Sequence, residues 1–218
     1  MARRRSKLVA DDVVRRQLRR LGRILPDAEC ALVHRNAFEL LVATILSAQC
    51  TDKLVNEITP ALFAKYPDAR ALAAANVDEV GEMVRRASFW RTKSKHLVAM
   101  AALLVERHGA EVPRTMEELV VLPGVARKTA NVVLGSWYGI PAGFVVDTHV
   151  ERVANRLGFV EAEGAVKIER ALMERIPKTR WILLAHQLIL HGRQTCHALR
   201  PKCEACALAP DCPSREVG

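Results

Sequence analysis

Three groups of residues in this chain have the types and spacing for chemistry: a run of cysteines, a lysine directly behind a Pro-Gly turn, and an aspartate at the start of a helical stretch. Cys196, Cys203, Cys206 and Cys212 form a C-x6-C-x2-C-x5-C pattern. Four soft thiolates on such short loops can return their sulfurs to one compact centre, either a tetrathiolate zinc ion or a 4Fe-4S cluster. The spacing by itself leaves both open. A disulfide framework fits poorly, because four of the six cysteines crowd into one end of the chain, as a local metal site in a reducing compartment would require. Arg193, His197, Arg200 and Lys202 surround these thiols. They serve either as charge balance for an anionic centre or as cations that a rigid loop presents to phosphates.

The lysine lies in LPGVARKTANVV, residues 122–133. Pro123 fixes one φ angle and Gly124 allows a close backbone approach, so the turn and the helix start behind it offer N–H groups to an anion. Arg127 and Lys128 fall on the first turn of that helix. As simple phosphate clamps they would need nothing more. Lys128 also sits in the positive potential of the turn and of Arg127, which favours the neutral amine, and a neutral amine is a nucleophile. The carboxylate to complement it is Asp147 in VVDTH. As a helix cap before THVERVANRL it has a purely structural use, and the same N–H bonds would keep it charged for electrostatic work.

The elements that must carry these groups read as helices. Apolar residues recur at helical spacing and aromatics make up only 5% of the chain, so an all-α protein is expected. A basic amphipathic helix opens the chain, from about Lys7 to Leu25, and Pro26 ends it. A nearly uncharged helix follows from Asn36, which caps it with Glu39, and its apolarity makes it central. Further helices are expected at 53–66, 69–75, from Asn76 on, and up to Gly109; Thr115 and Glu118 cap a short helix leading into the LPGV turn, and a second helix runs from about Ala126 to Tyr138. Thr148 and Glu151 open a helix that stops at Gly158, and others follow at 163–175 and 179–191.

Thirty-three Lys and Arg against 24 Asp and Glu leave a formal net charge of +9. That balance points to a polyanionic partner, with nucleic acid ahead of an anionic membrane. No apolar run approaches the roughly 20 residues of a membrane span, and MARRRSK does not lead into a signal-peptide apolar region. A cytoplasmic protein is expected.

Taken together, ILSAQCTD, EVPRTMEEL, LPGVARKTANVVL, VVDTH and ILHGRQTC with its cysteine spacing resemble endonuclease III, the bifunctional DNA glycosylase and AP lyase of base excision repair, from about Asn36 to Cys212. The resemblance implies a two-lobed helix-hairpin-helix glycosylase fold. One lobe is a six-helix barrel over 30–140 that includes the hairpin at 115–138; the other, an iron-sulfur cluster domain, joins 1–29 to 141–218. It implies Lys128 as nucleophile, Asp147 as catalytic carboxylate, and Cys196, Cys203, Cys206 and Cys212 as ligands of a 4Fe-4S cluster. The partner is then damaged double-stranded DNA, bound by a monomer with no membrane role. Gln49 matches the position that fills the gap left by a flipped base, and Phe89 stands where the family places a leucine wedge. Gly124, Ala126, Arg127, His149, Arg193, Arg200 and Lys202 complete the expected DNA contacts. Ala126 replaces the second glycine of the family's G-V-G, which implies a looser hairpin grip, and Ser88 replaces a usual glycine in the wedge loop. The alternatives are an adenine-specific mismatch glycosylase of the same superfamily, which generally lacks the lysine, and a non-catalytic iron-sulfur DNA-binding protein.

Overall fold

The structure, a computed structural model, describes residues 8–215; the arginine-rich opening MARRRSK lies outside the described residues. In chain order the helices are α1 (Asp11–Ile24), α2 (Ala37–Ser47), α3 (Asp52–Lys65), α4 (Ala69–Ala73), α5 (Val77–Met83) and α6 (Trp90–His108). There follow α7 (Met116–Val120), α8 (Arg127–Ser136), α9 (Thr148–Arg156), α10 (Ala165–Arg175) and α11 (Trp181–Gln194). The all-α expectation holds, and no described helix is long and apolar enough to cross a membrane.

Short polar side chains start most of these helices by taking over an orphan N–H, each such cap contributing about 1 kcal/mol. Asn36 accepts from Glu39 N–H at 2.8 Å, Asp68 from Ala71 N–H at 2.8 Å, and Asn76 from Asp78 N–H at 2.8 Å. Thr115 accepts from Glu118 N–H and donates its hydroxyl to the Glu118 carboxylate at 2.6 Å. The Asn36 pair differs in one respect: Glu39 reaches past the cap to the Arg35 N–H at 2.7 Å and pairs with the Arg35 guanidinium. The expected Thr148 and Glu151 pair does not form. Asp147 caps α9 itself, and Glu151 accepts from Gly164 N–H at 3.1 Å.

The chain divides into two compact units, an inner one spanning Cys30–Ala142 and a terminal one built from residues up to Glu29 together with those from Gly143 onward. In the inner unit α2 is buried on every side from Ala37 to Leu46, and α3, α6 and α8 pack on it. The six-helix barrel expected here does not form: among the described residues there is neither strand nor barrel, and the unit carries seven helices, α2 to α8. The reason is physical, since a barrel encloses its side chains whereas here an apolar helix occupies the centre and its neighbours close over it. The terminal unit centres on Leu21, Phe144, Phe159, Leu172, Trp181 and Leu188. Cys196, Cys206 and Cys212 pack against that core.

Candidate functional site

In the inner unit, α7 and α8 are joined by a turn whose Leu122 and Val125 are buried and so anchor it to the body. Gly124 sits in left-handed backbone at φ 79°, and a Cβ on it would lie 3.0 Å from the Cβ of His96. Conformation and space both demand glycine there. Gly124→Ala is therefore expected to lower the unfolding free energy by about 1–3 kcal/mol, measured by denaturant titration; wild-type stability would contradict this account of the turn. Ala126 is different. It is the residue before α8, extended at φ −86° and ψ 166°, a conformation that any residue adopts, so the alanine introduces no strain. Arg127 and Lys128 follow as exposed residues on the first turn, where the helix leaves N–H groups without intrahelical acceptors. The Lys128 side chain makes no hydrogen bond or ion pair with a described residue.

Next to this turn a groove of about 550 Å³ runs along Ile45, Ala48, Phe89, Lys93, His96 and Leu122. Gln49 and Phe89 are both exposed, and both take positive φ, 55° and 56°. Ser88, which stands where glycine is usual, does not; the left-handed residue of this loop is Phe89.

In the terminal unit Asp147 is half-buried, and its Oδ1 accepts from the N–H groups of His149 at 2.9 Å and Val150 at 2.8 Å. One cap thus fixes one carboxylate oxygen. Burial holds the His149 imidazole below its usual range, Asp147 opposing and the Arg152 and Arg193 charges reinforcing it. Arg152 lies 3.1 Å from His149 Nδ1. A guanidinium only donates, so any hydrogen bond between them runs from Arg152 to the ring. The same Arg152 donates to Gly192 O at 3.0 Å and to Cys196 O at 3.1 Å. Space for this comes from Gly192, where a Cβ would stand 3.1 Å from Arg152 Nη2, His149 Cβ and Val153 Cγ2, so α11 can lie directly on α9.

One turn further along α9, Arg156 donates to His197 O at 2.6 Å and Ala198 O at 2.9 Å, and its Nη1 lies 3.5 Å from Cys196 Sγ. The loop between the first two cysteines is thereby fastened at its base. Lys202 N–H closes it on Thr195 O at 3.0 Å, and Arg200, with φ 53°, and Lys202 remain exposed on it, as does Arg193 at the end of α11. The four cysteines line one small cavity of about 20 Å³, open in part to solvent, together with His191 and Arg156. Burial pushes the Cys206 and Cys212 thiols up and His191 down to about 4. The neutral His191 Nε2 lies 3.7 Å from Cys206 Sγ. Among the described residues no three His, Cys, Asp or Glu side chains converge where a single ion could sit. The last ligand segment is pinned from α1: Arg16 and Arg20 reach the Asp211 carboxylate at 3.1 and 2.6 Å, and Gln17 donates to Asp211 O at 2.8 Å. Arg16 beside it holds the Asp211 carboxyl below the usual carboxylate range. The clamp is thus fully present above about pH 4, where an unfolded aspartate is already charged, and is lost as pH falls through the lowered folded value.

Sequence reasoning did not single out Arg16, Arg20, Lys93, Arg152, Arg156 or Asp211. Each reads locally as surface charge, and only long-range contacts give it a role.

Comparison with known proteins places this arrangement. The family model for the HhH-GPD superfamily of base excision DNA repair proteins matches residues 42–178. The chain is 49% identical to endonuclease III of Synechocystis sp. over 90% of each chain, and 45% identical to that of Bacillus subtilis over 89% of each. A solved trapped endonuclease III–DNA covalent intermediate, an estranged-adenine complex, superposes with a TM-score of 0.89 at 42% identity, covering 95% of this chain and 97% of that one.

Proposed function

The chain belongs to the endonuclease III family of the HhH-GPD base excision repair superfamily, and on that premise we propose that Lys128 and Asp147 carry its chemistry on damaged duplex DNA. The protein is a bifunctional DNA glycosylase and AP lyase acting on oxidised bases. Its substrates are oxidised pyrimidines of the thymine glycol type. The target nucleotide must leave the stack, at a cost of a few kcal/mol that is lower for a poorly stacked lesion. The neutral Lys128 amine attacks C1′, the C1′–N bond breaks and the base leaves with the bonding pair and a proton. The C1′–O4′ bond then opens, its pair going to O4′, which takes up a proton, and the Schiff base forms; loss of a C2′ proton expels the 3′ phosphate, and water then hydrolyses the imine and releases the enzyme. Asp147 stabilises positive charge developing on the sugar.

The observation that supports Lys128 most is its setting: an exposed lysine at a helix start, behind a turn that admits only glycine, with its side chain engaged by no described residue. Around it, the hairpin N–H groups with Gly124, Ala126 and Arg127 bind backbone phosphates, and Gln49 and Phe89 enter the duplex. In the terminal unit His149, Arg193, Arg200 and Lys202 meet further phosphates.

The four cysteines fit a 4Fe-4S cluster better than zinc. A zinc ion needs its sulfurs gathered within about 2.3 Å of one point; here the four thiols line one cavity, no three of them converge on such a point, and Arg156 Nη1 faces Cys196 Sγ as a donor toward a thiolate-bound centre. When bound, such a cluster supplies a fixed centre that ties Cys196, Cys203, Cys206 and Cys212 together. The Arg156 bonds then keep the intervening loop, with Arg200 and Lys202, in one shape. The protein works in the cytoplasm as a monomer. To test the activity, the protein is incubated with a duplex carrying one thymine glycol; the expected product is a strand cut 3′ to the lesion, ending in an unsaturated aldehyde. Intact strands would contradict the reading, and release of base without a cut would remove the lyase half.

A further inference from the structure

Gln49 and Phe89 lie 40 residues apart in sequence but share one support in the inner unit. Both hold left-handed backbone with a side chain that favours it little, and Phe89 is 63% exposed with no side-chain cap behind it. Backbone of this kind persists only where surrounding contacts over-determine it. Ser88 supplies two of those contacts: its hydroxyl donates to Gln49 O at 2.9 Å and its N–H to Cys50 Sγ at 3.2 Å. Lys93, one turn into α6 and only 6% exposed, supplies three more, donating to Leu46 O at 2.7 Å and Ala48 O at 2.6 Å, with Cys50 Sγ at 3.5 Å. Its charge is met by the carbonyl end of α2, where the helix dipole is negative, and among the described residues by no carboxylate. An ammonium buried on those terms is costly unless the carbonyls stay where they are. It therefore fixes the end of α2 to the start of α6.

We propose that Lys93 and Ser88 are positioning residues that join Gln49 and Phe89 into one rigid wedge, so that opening a duplex depends on them and chemistry on an already unpaired nucleotide does not. This rests on the reading of the protein as a base-flipping lyase with Gln49 and Phe89 entering the duplex. A wedge that must order itself on binding pays for that ordering in affinity for the distorted state; for two side chains and their loops the loss is about tenfold. The serine is this chain's own contribution, since a glycine there would leave Gln49 O without its hydroxyl partner.

The test compares single-turnover cleavage of one abasic-site oligonucleotide, single-stranded and in duplex, by wild type, Ser88→Ala, Ser88→Thr and Lys93→Met. Fluorescence of 2-aminopurine beside the site reports unstacking in the duplex. Expected are a roughly tenfold slower duplex reaction and a weaker unstacking signal for Ser88→Ala and Lys93→Met, an unchanged single-strand rate, and recovery in Ser88→Thr, which restores the hydroxyl. Parallel losses on both substrates, no loss on either, or Ser88→Thr behaving as Ser88→Ala would overturn the proposal. Should Lys93→Met not fold, as circular dichroism would show, the exposed Ser88 pair decides the matter. A wild-type protein inactive on both substrates would instead overturn the lyase reading, and this inference with it.

Discussion

Replacing Asp147 by asparagine is expected to leave the fold nearly unchanged and to slow base excision by about 10²–10³-fold, the effect of removing one aligned charge-stabilising group from an active site. The two consequences separate because the residue has two uses. As a cap it needs an acceptor oxygen toward His149 and Val150 N–H, and asparagine is as good a cap as aspartate. As a stabiliser of positive charge on the sugar it needs the full carboxylate, which asparagine lacks. Asp147→Ala removes both and should add a loss of about 1 kcal/mol, or a fall of about 2–4 °C in thermal midpoint. Single-turnover excision and calorimetry on the two variants measure this directly. If asparagine works as fast as aspartate, Asp147 is a cap and nothing more.

The second large effect is expected from Cys212→Ser. Cys212 Sγ faces Arg156 O at 3.4 Å, packs against the terminal unit's core, and follows the aspartate that Arg16 and Arg20 hold from α1. An oxygen there is a hard, poorly ionised donor in place of a soft thiolate. The variant should lose iron and its visible charge-transfer absorption. The thermal midpoint should fall by about 10 °C, as the loss of a few kcal/mol in a chain of this size implies. Iron analysis, absorption and calorimetry check each part; a full complement of iron in the variant would remove Cys212 from the ligand set, and zinc in the wild type would replace the cluster assignment altogether.

Much of the fold was legible because its signals are local. Asn36, Asn76 and Thr115 announce helix starts through side chains that reach two or three residues, and Gly109 announces an end through its left-handed φ of 62°. The LPGV turn was legible for the same reason. What the chain does not display locally is the packing of helix on helix. Nothing in the apolar run of α2 distinguishes a wall of a barrel from a central rod, and only the helices that close over it decide. Likewise Gly192 looks like a helix-weakening residue until α9 is seen within a Cβ's reach. Lys93, Arg152 and Arg156 look like surface cations, yet they bond to carbonyls some 40 residues away. The left-handed φ at Phe89 was not legible either, since nothing in the sequence shows that the Ser88 hydroxyl and N–H reach back to Gln49 and Cys50.

Formation of the covalent bond by Lys128 is open to direct measurement. Incubation with an abasic-site duplex in the presence of borohydride reduces any Schiff base to a stable adduct, and peptide mapping by mass spectrometry then locates the DNA remnant. One adduct is expected, on Nζ of Lys128, absent in Lys128→Ala while that variant stays folded. An adduct on another residue, or none from the wild-type protein, would contradict it.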